Sequence, residues 1–293
     1  MYQYEYKTLS DLAELAERYG VGLSEVVLRH ETETTERTKA DVHELMAARL
    51  AVFRESIRSG LADTEKSVSG LVGGDAAKLE AAGARLLGPL PHKAATYAIA
   101  INEANAKMFK IVACPTAGSC GILPAALIAA AEILGKSDEE CLRPLFTAAG
   151  IGAVVARNAS VAGAVGGCQA ECGSAAAMAA AAVAELAGST NEQILHAFAL
   201  CMKNTLGLAC DPVAGLVEVP CVKRNGVYAV MAVTAAEMAL AGIKSVIPPD
   251  EVIEAMDRIG RNMPVALKET AEGGLAKTRT GMEITKRLTE NAI

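Results

Sequence analysis

Residues 166–186 read GGCQAECGSAAAMAAAAVAEL, with two thiols and a carboxylate among glycines, followed at once by an alanine-rich run. Alanine has the highest helix propensity, and its small side chain lets neighbouring helices approach closely. The run therefore predicts a helix packed tightly among others. Helix packing does not explain the glycine-rich start, where Cys168, Glu171 and Cys172 lie, and this pattern indicates a chemical role at the mouth of the helix.

Helix start signals recur through the rest of the chain. Residues 137–140 and 190–193 match the capping box, each just after a glycine, and the Pro-Pro-Asp sequence at 248–250 introduces another helical pattern. Apolar residues recur every three to four positions between 42 and 57, which predicts an amphipathic helix. We therefore expect an all-α fold, a multi-helix, Ala-rich bundle whose Gly/Pro-rich loops converge on a cluster site.

The N-terminal part reads as two short helices beginning at Ser10 and Ser24, followed by a polar joint, HETETTERT, at 30–38. A chain of 293 residues is long enough to bury a sizeable core. We expect one α-helical domain over the whole chain, with 1–60 as a peripheral helical part and 105–285 as the cluster-binding core.

Charge and hydropathy exclude several classes of protein. The formal charge is −6 and Lys and Arg are not clustered, whereas nucleic-acid or anionic-membrane binding needs a basic stripe. Residues 111–131 carry no charge, yet Pro115 and Pro124 would break a lipid-exposed helix, so we expect a buried segment of a soluble protein. The N-terminus lacks the pattern of a signal peptide, which predicts a cytoplasmic protein whose eight cysteines stay reduced.

The cysteines do not follow the spacing of a zinc ribbon or a bacterial ferredoxin. Cys141 and Cys201 lie inside helical patterns and are expected to be small buried residues of the core. Glycine beside a thiol gives an inorganic group close access to the backbone, so Gly- and Pro-flanked cysteines are candidate ligands. Such cysteines occur in ACPTAGSCG (113–121), GGC (166–168), LACDP (208–212) and EVPC (218–221). Cys168 and Cys172 lie four apart and can share a helix face, so both are candidates.

Four segments carry a resemblance to a known family: CPTAGSCGILPA (114–125), RNASVAGAVGGCQAECGSAAAMAAAA (157–182), LGLACDPVAGLVEVPCVKRN (206–225) and GGLAKTRTG (273–281). Over essentially its whole length the chain resembles the iron–sulfur-dependent L-serine dehydratases, specifically the α chain of the two-chain form. The resemblance implies that Cys168, Cys210 and Cys221 bind a [4Fe-4S] cluster with one iron free of protein thiolate. It also implies that Cys172 is a neighbour of the cluster.

The implied reaction converts L-serine to pyruvate and ammonia, with the iron acting as a Lewis acid on a poor leaving group. Polar side chains within the matching motifs are the candidates for contact with serine. Thr116, Ser119 and Glu171 are the candidate catalytic residues, and Asn158 and Ser160 are the candidate substrate-binding residues. Glu171 is either a base or a residue that orients its loop. The four histidines lie outside the motifs and are expected to be structural, so no histidine identifies the general base.

Two features of related chains are absent from this sequence. It ends TKRLTENAI at 285–293, without the terminal cysteine of single-chain relatives, and it lacks the SIGPS-type motif of the β component. We therefore expect a β chain of the same enzyme as partner, together with L-serine, and neither nucleic acid nor membrane. Two alternatives stay open: a cluster-dependent L-cysteine desulfidase, because iron accepts thiolate, and a non-catalytic iron–sulfur or zinc helical protein.

Overall fold

The computed structural model describes residues 2–290, and within that range the chain is all-α, as predicted. The single β-type pairing between those limits is an isolated bridge between Cys210 and Lys268. The helices are α1 (Leu9–Tyr19), α2 (Leu23–Thr35), α3 (Lys39–Ala62), α4 (Asp75–Ala82), α5 (Pro89–Ala106), α6 (Ile122–Leu134), α7 (Asp138–Asn158), α8 (Gly163–Gly166), α9 (Ser174–Leu186), α10 (Asn191–Met202), α11 (Cys221–Leu240), α12 (Pro249–Asn262) and α13 (Arg279–Glu290). Residues 291–293, the end of the tail that lacks a cysteine, lie outside the described residues.

The alanine-rich helix α9 lies at the centre of the bundle, where it packs against α6, α7, α10 and α11. Every residue of α9 except Glu185 is buried. Alanine makes this possible because a helix with such short side chains can be surrounded closely on all sides. The prediction of a tightly packed alanine helix is confirmed.

The helix starts agree with the capping boxes at Ser137 and Thr190, where α7 and α10 begin one residue later. The start predicted at Ser10 is wrong by two positions, because Thr8 caps α1. The Thr8 hydroxyl accepts the Asp11 N–H at 3.0 Å, and the Asp11 carboxylate accepts the Thr8 N–H in return. The Ser10 hydroxyl instead donates to Asp250 at 2.6 Å and so links α1 to the start of α12.

The predicted polar joint is also shorter than expected, because α2 continues to Thr35. The hydroxyls of Thr34 and Thr35 donate to carbonyls one turn earlier, at His30 and Glu31, so these polar residues are accommodated within the helix. Helix α2 packs along α7, and α3 packs along α5 and α7. The division into a peripheral part and a cluster-binding core stays a prediction.

Residues 111–131 form a loop and then α6, whose residues from Ile122 to Ala131 are all buried by other helices. This agrees with the expected buried segment. Among the helices of residues 2–290, none combines the length and apolar character needed to cross a bilayer.

Candidate metal centre

The glycine-rich segment before α9 changes conformation twice within a few residues. The short helix α8 ends at Gly166, and the next residue, Gly167, has a φ of 75°. Residues Gln169–Gly173 then form a π-helix that leads into α9. A Cβ at position 167 would lie 2.6 Å from the sulfur of Met263, so both the backbone angle and the close contact require glycine. This path buries Cys168, Glu171 and Cys172 at the mouth of the alanine helix.

Cys210 lies on a loop that pairs with a distant part of the chain. Its N–H donates to the carbonyl of Leu267, and its own carbonyl accepts the N–H of Glu269, both at 2.9 Å. Glu269 has a φ of 62°, an uncommon backbone angle for a residue other than glycine. The pairing holds Glu269 next to Cys210.

Asp211 fixes the same loop from the other side. Its Oδ1 accepts a hydrogen bond from Arg224 and its Oδ2 accepts one from the N–H of Leu275, each at 2.8 Å. Arg224 also donates to the carbonyl of Ala209 at 3.0 Å. Both residues that flank Cys210 are therefore tied to α11, and Asp211 also holds the GGLAKTRTG segment.

Three ligand atoms converge between these segments. The sulfurs of Cys168 and Cys210 and a carboxylate oxygen of Glu171 lie within 4.8 Å of one another, and all three residues are buried. A Cβ at Gly163 would lie 2.5 Å from Glu171 Oε2 and 3.1 Å from the Cys210 sulfur. The backbone of Gly163 therefore lies directly against these ligand atoms, with no room for a side chain. Thiolates are ligands for zinc, copper(I) and iron–sulfur clusters, so this group can bind a metal.

Two further thiols adjoin this group. The neighbouring thiols of Cys172 and Cys210 stabilise the Cys168 thiolate and so lower the pKa of Cys168, against the effect of its burial. The same interaction raises the pKa of Cys172 and Cys210. Cys221 is the first residue of α11, and burial raises the pKa of its thiol to about 12, with the charges of Cys168 and Glu171 acting in the same direction. A metal that binds these thiols therefore displaces protons from them.

Glu171 joins the thiols to the loop that precedes α6. Its Oε1 accepts a hydrogen bond from the Thr116 hydroxyl at 2.9 Å, and its Oε2 lies 3.6 Å from the Cys210 sulfur, which donates to it. Burial raises the pKa of the Glu171 carboxyl to about 7; the charges of Glu269 and Cys168 also raise it, against the hydrogen bond from Thr116. A carboxyl in this setting can take up or release a proton near neutral pH.

The loop that carries Thr116 is itself held in place. The hydroxyl oxygens of Thr116 and Ser119 lie 3.1 Å apart, and Ser119 is completely buried. The side-chain amide of Asn225 donates to the carbonyls of Gly118 and Cys221, at 2.8 and 2.9 Å. Asn225 thus connects this loop to the residue that begins α11.

The sequence is similar to those of known proteins. The sequence model of the serine dehydratase alpha chain family matches residues 18–276. The chain belongs to the serine dehydratase alpha chain family.

Members of this serine dehydratase family align with the chain over most of its length. A probable L-serine dehydratase alpha chain of Bacillus subtilis is 50% identical, over 98% of this chain and 97% of that protein. The L-serine dehydratase alpha chain of Peptoniphilus asaccharolyticus is 40% identical, over 94% and 96%. An L-serine dehydratase of Streptomyces coelicolor is 39% identical over 94% of this chain, but the match covers only 61% of that longer protein.

The structure of this family member brings most of the predicted site residues together. Glu171 contacts the Cys210 thiol, Thr116 contacts Glu171 and Ser119 contacts Thr116. The two predicted substrate contacts instead bind backbone. The Asn158 amide donates to the carbonyl of Lys7 at 2.7 Å, at the exposed end of α7. The Ser160 hydroxyl accepts the N–H of Ala162 at 3.1 Å, which stabilises the turn before α8. Their role in serine binding stays a prediction.

Three residues of the site were not singled out from the sequence. Arg224 and Asn225 lie inside the motif that ends VKRN, so motif membership was a usable signal for both. Glu269 lies outside every motif, and its carboxylate would be 2.9 Å from a Cβ at Gly163. Only the pairing of its segment with Cys210 places it at the site.

Proposed function

We propose that this chain is the α subunit of an L-serine dehydratase, a lyase that converts L-serine to pyruvate and ammonia. The observation that carries the proposal is the convergence of Cys168, Glu171 and Cys210 on one buried point in a member of this family. The relatives named L-serine dehydratase supply the choice of substrate.

A [4Fe-4S] cluster would be held by Cys168 and Cys210, whose sulfurs lie in the converging group, and by Cys221 at the start of α11. These thiols come from three separate segments, and the neighbouring Cys172 thiol lowers the pKa of Cys168. Polar groups beside ligating sulfurs tune such clusters, which gives Cys172 a role without ligation. When bound, a cluster with three protein thiolates supplies a Lewis-acidic iron to assist departure of the serine hydroxyl.

The remaining chemistry falls to the protein's own side chains. Glu171, oriented by Thr116 at 2.9 Å, is placed to accept the α-proton of serine, and Ser119 holds the Thr116 hydroxyl. That proton can leave with the hydroxide as water. The product 2-aminoacrylate then tautomerises and hydrolyses to pyruvate and ammonia in solution.

Substrate binding needs groups for the serine ammonium as well. The Glu269 carboxylate faces the same Gly163 position as Glu171 and is suited to bind an ammonium. We retain Asn158 and Ser160 as further contacts, because they lie on the segment that enters the site at α8.

A separate β chain is the proposed partner. The two relatives named as alpha chains match this chain over nearly all of both lengths, whereas the L-serine dehydratase of Streptomyces coelicolor extends well beyond the matched part. A cytoplasmic location is part of the proposal, because free thiols stay reduced in that compartment.

The test is anaerobic reconstitution followed by addition of the β chain. We expect brown protein with about four irons per chain, an electron paramagnetic spectrum that changes with serine, and pyruvate formation that rises steeply as the β chain is titrated in. Stoichiometric zinc in place of iron would contradict the cluster. Faster release of pyruvate from L-cysteine than from L-serine would identify a desulfidase instead.

A further inference from the structure

A cavity of about 370 Å³ lies between α2, α3 and α7. Its volume is within the range of about 300–1,000 Å³ typical of small-molecule sites. Part of its wall is the stretch Ala113–Pro115, which immediately precedes Thr116 of the metal centre. The proposed dehydratase chemistry does not use this cavity.

The lining of the cavity has a distinct chemical character. Its interior is apolar and includes Phe53, Phe146, Met46 and Met178. Aromatic rings pack favourably on other rings and on thioethers, so this interior suits an aromatic side chain.

The charged residues of the lining are two arginines and one glutamate, Arg37, Arg49 and Glu31. Within the part of the chain that the structure describes, none of the three forms a salt bridge. Guanidinium groups bind carboxylates, and a carboxylate binds an ammonium. The set therefore complements the two charged groups of a free amino acid.

We propose that this cavity binds a free aromatic α-amino acid, which acts as an effector of the neighbouring site. The ring occupies the apolar interior, the arginines bind the carboxylate and Glu31 binds the ammonium. The ligand packs against Cys114 and Pro115 and so stabilises the loop whose Thr116 donates to Glu171 at 2.9 Å. The effect on serine turnover rests on the proposed function, whereas binding of the amino acid in the cavity does not depend on it.

Calorimetric titration of the full chain with L-phenylalanine tests the binding site. We expect saturable binding, weakened about tenfold for 3-phenylpropanoate, which lacks the ammonium, and for 2-phenylethylamine, which lacks the carboxylate. Arg49→Gln should weaken binding of 3-phenylpropanoate but not of 2-phenylethylamine. Glu31→Gln should weaken binding of 2-phenylethylamine but not of 3-phenylpropanoate. Met46→Trp fills the cavity and should abolish binding of all three.

Arg58→Gln is the matched control, because Arg58 lies on α3 but outside the cavity lining, and it should bind like the wild type. Hydrogen exchange supplies a readout independent of turnover: L-phenylalanine should slow exchange of the amides at 112–120, except in Met46→Trp. Absence of binding, or equal affinity in Arg49→Gln and Glu31→Gln for all ligands, would overturn the proposal.

Two further outcomes separate the explanations. If the β chain abolishes phenylalanine binding, the cavity belongs to an interface with that chain and the effector proposal is wrong. If L-phenylalanine binds and slows exchange while the reconstituted enzyme fails to convert serine, the proposed function fails and the binding site stands.

Discussion

The cysteines within helices and the cysteines on loops differ in what surrounds their sulfurs. Cys141 and Cys201 lie in α7 and α10, fully buried, and burial raises the pKa of both thiols. Cys168 and Cys210 are almost as buried, yet a carboxylate, a guanidinium and other thiols stand around them. Neither burial nor nearby charge alone separates the two sets, because Arg54, Asp138 and Glu140 also act on the Cys141 thiol. What marks Cys168 and Cys210 is that their sulfurs converge with each other and with Glu171.

The two environments also differ in how they are built. The helix-borne thiols need only the 3.6-residue repeat, which turns them toward a core of small side chains. The loop-borne thiols need backbone breaks at Gly167 and long-range pairing at Cys210 to meet. We expect substitutions in the two sets to have separate consequences, one in metal binding and the other in stability.

The largest expected effect is loss of the metal. Cys168→Ala, Cys210→Ala and Cys221→Ala should each reduce iron after anaerobic reconstitution to near background, because each removes one of the three proposed thiolate ligands. Cys141→Ala and Cys201→Ala should bind iron like the wild type. Iron content and the visible absorption spectrum measure this, and equal loss across all five variants would contradict the distinction.

A catalytic effect should follow at Glu171 without loss of the metal. Glu171→Gln keeps an oxygen that can accept the Thr116 hydroxyl but cannot take up the α-proton. Serine turnover with the β chain present should fall by about 10²–10⁴-fold, the usual contribution of a general base. Iron content should stay unchanged. A variant with normal turnover would assign Glu171 to loop orientation alone and leave the base to be found elsewhere.

Sequence patterns predicted the helices better than the contacts between loops. The capping boxes at Ser137 and Thr190 are complete within four residues, so they can be read locally. The start of α1 was misplaced because Thr8 and Ser10 are equally good caps, and only the distant Asp250 decides between them. Glycine and proline neighbours pointed to Cys168 and Cys210, whose sulfurs converge, but equally to Cys114 and Cys120, which lie outside that group. Glu269 could not be found in this way, since its position depends on pairing with Cys210.

A smaller effect should come from adding a side chain at Gly163, whose backbone lies against the ligand atoms of the centre. Gly163→Ala places a Cβ 2.5 Å from Glu171 Oε2 and 3.1 Å from the Cys210 sulfur, so the carboxylate must shift. We expect roughly tenfold slower turnover with partial loss of iron, since displaced catalytic groups are costly even over short distances. Gly88→Ala is the matched control, because its Cβ meets nothing within 4 Å. Equal behaviour of the two variants would show that the glycine at 163 is not needed for space.

The smallest expected effect is on stability, in the helix-borne set. Cys201 is fully buried in α10, so Cys201→Ala removes one heavy atom from a close-packed site and should lower the free energy of unfolding by about 1 kcal/mol. Alanine's higher helix propensity offsets part of this loss. For a chain of this size the midpoint of thermal unfolding should fall by about 2–4 °C.

That measurement needs protein freed of metal, because a bound metal stabilises the folded state by its own binding free energy and would hide a shift of this size. Cys210→Ala measured in the same way gives the contrast, since its sulfur lies among polar groups rather than helices. If Cys201→Ala lost iron while its melting temperature stayed unchanged, Cys201 would belong with the metal-binding thiols and not with the packing thiols. A fall in melting temperature with full iron content would show that α10 uses its thiol as a packing group.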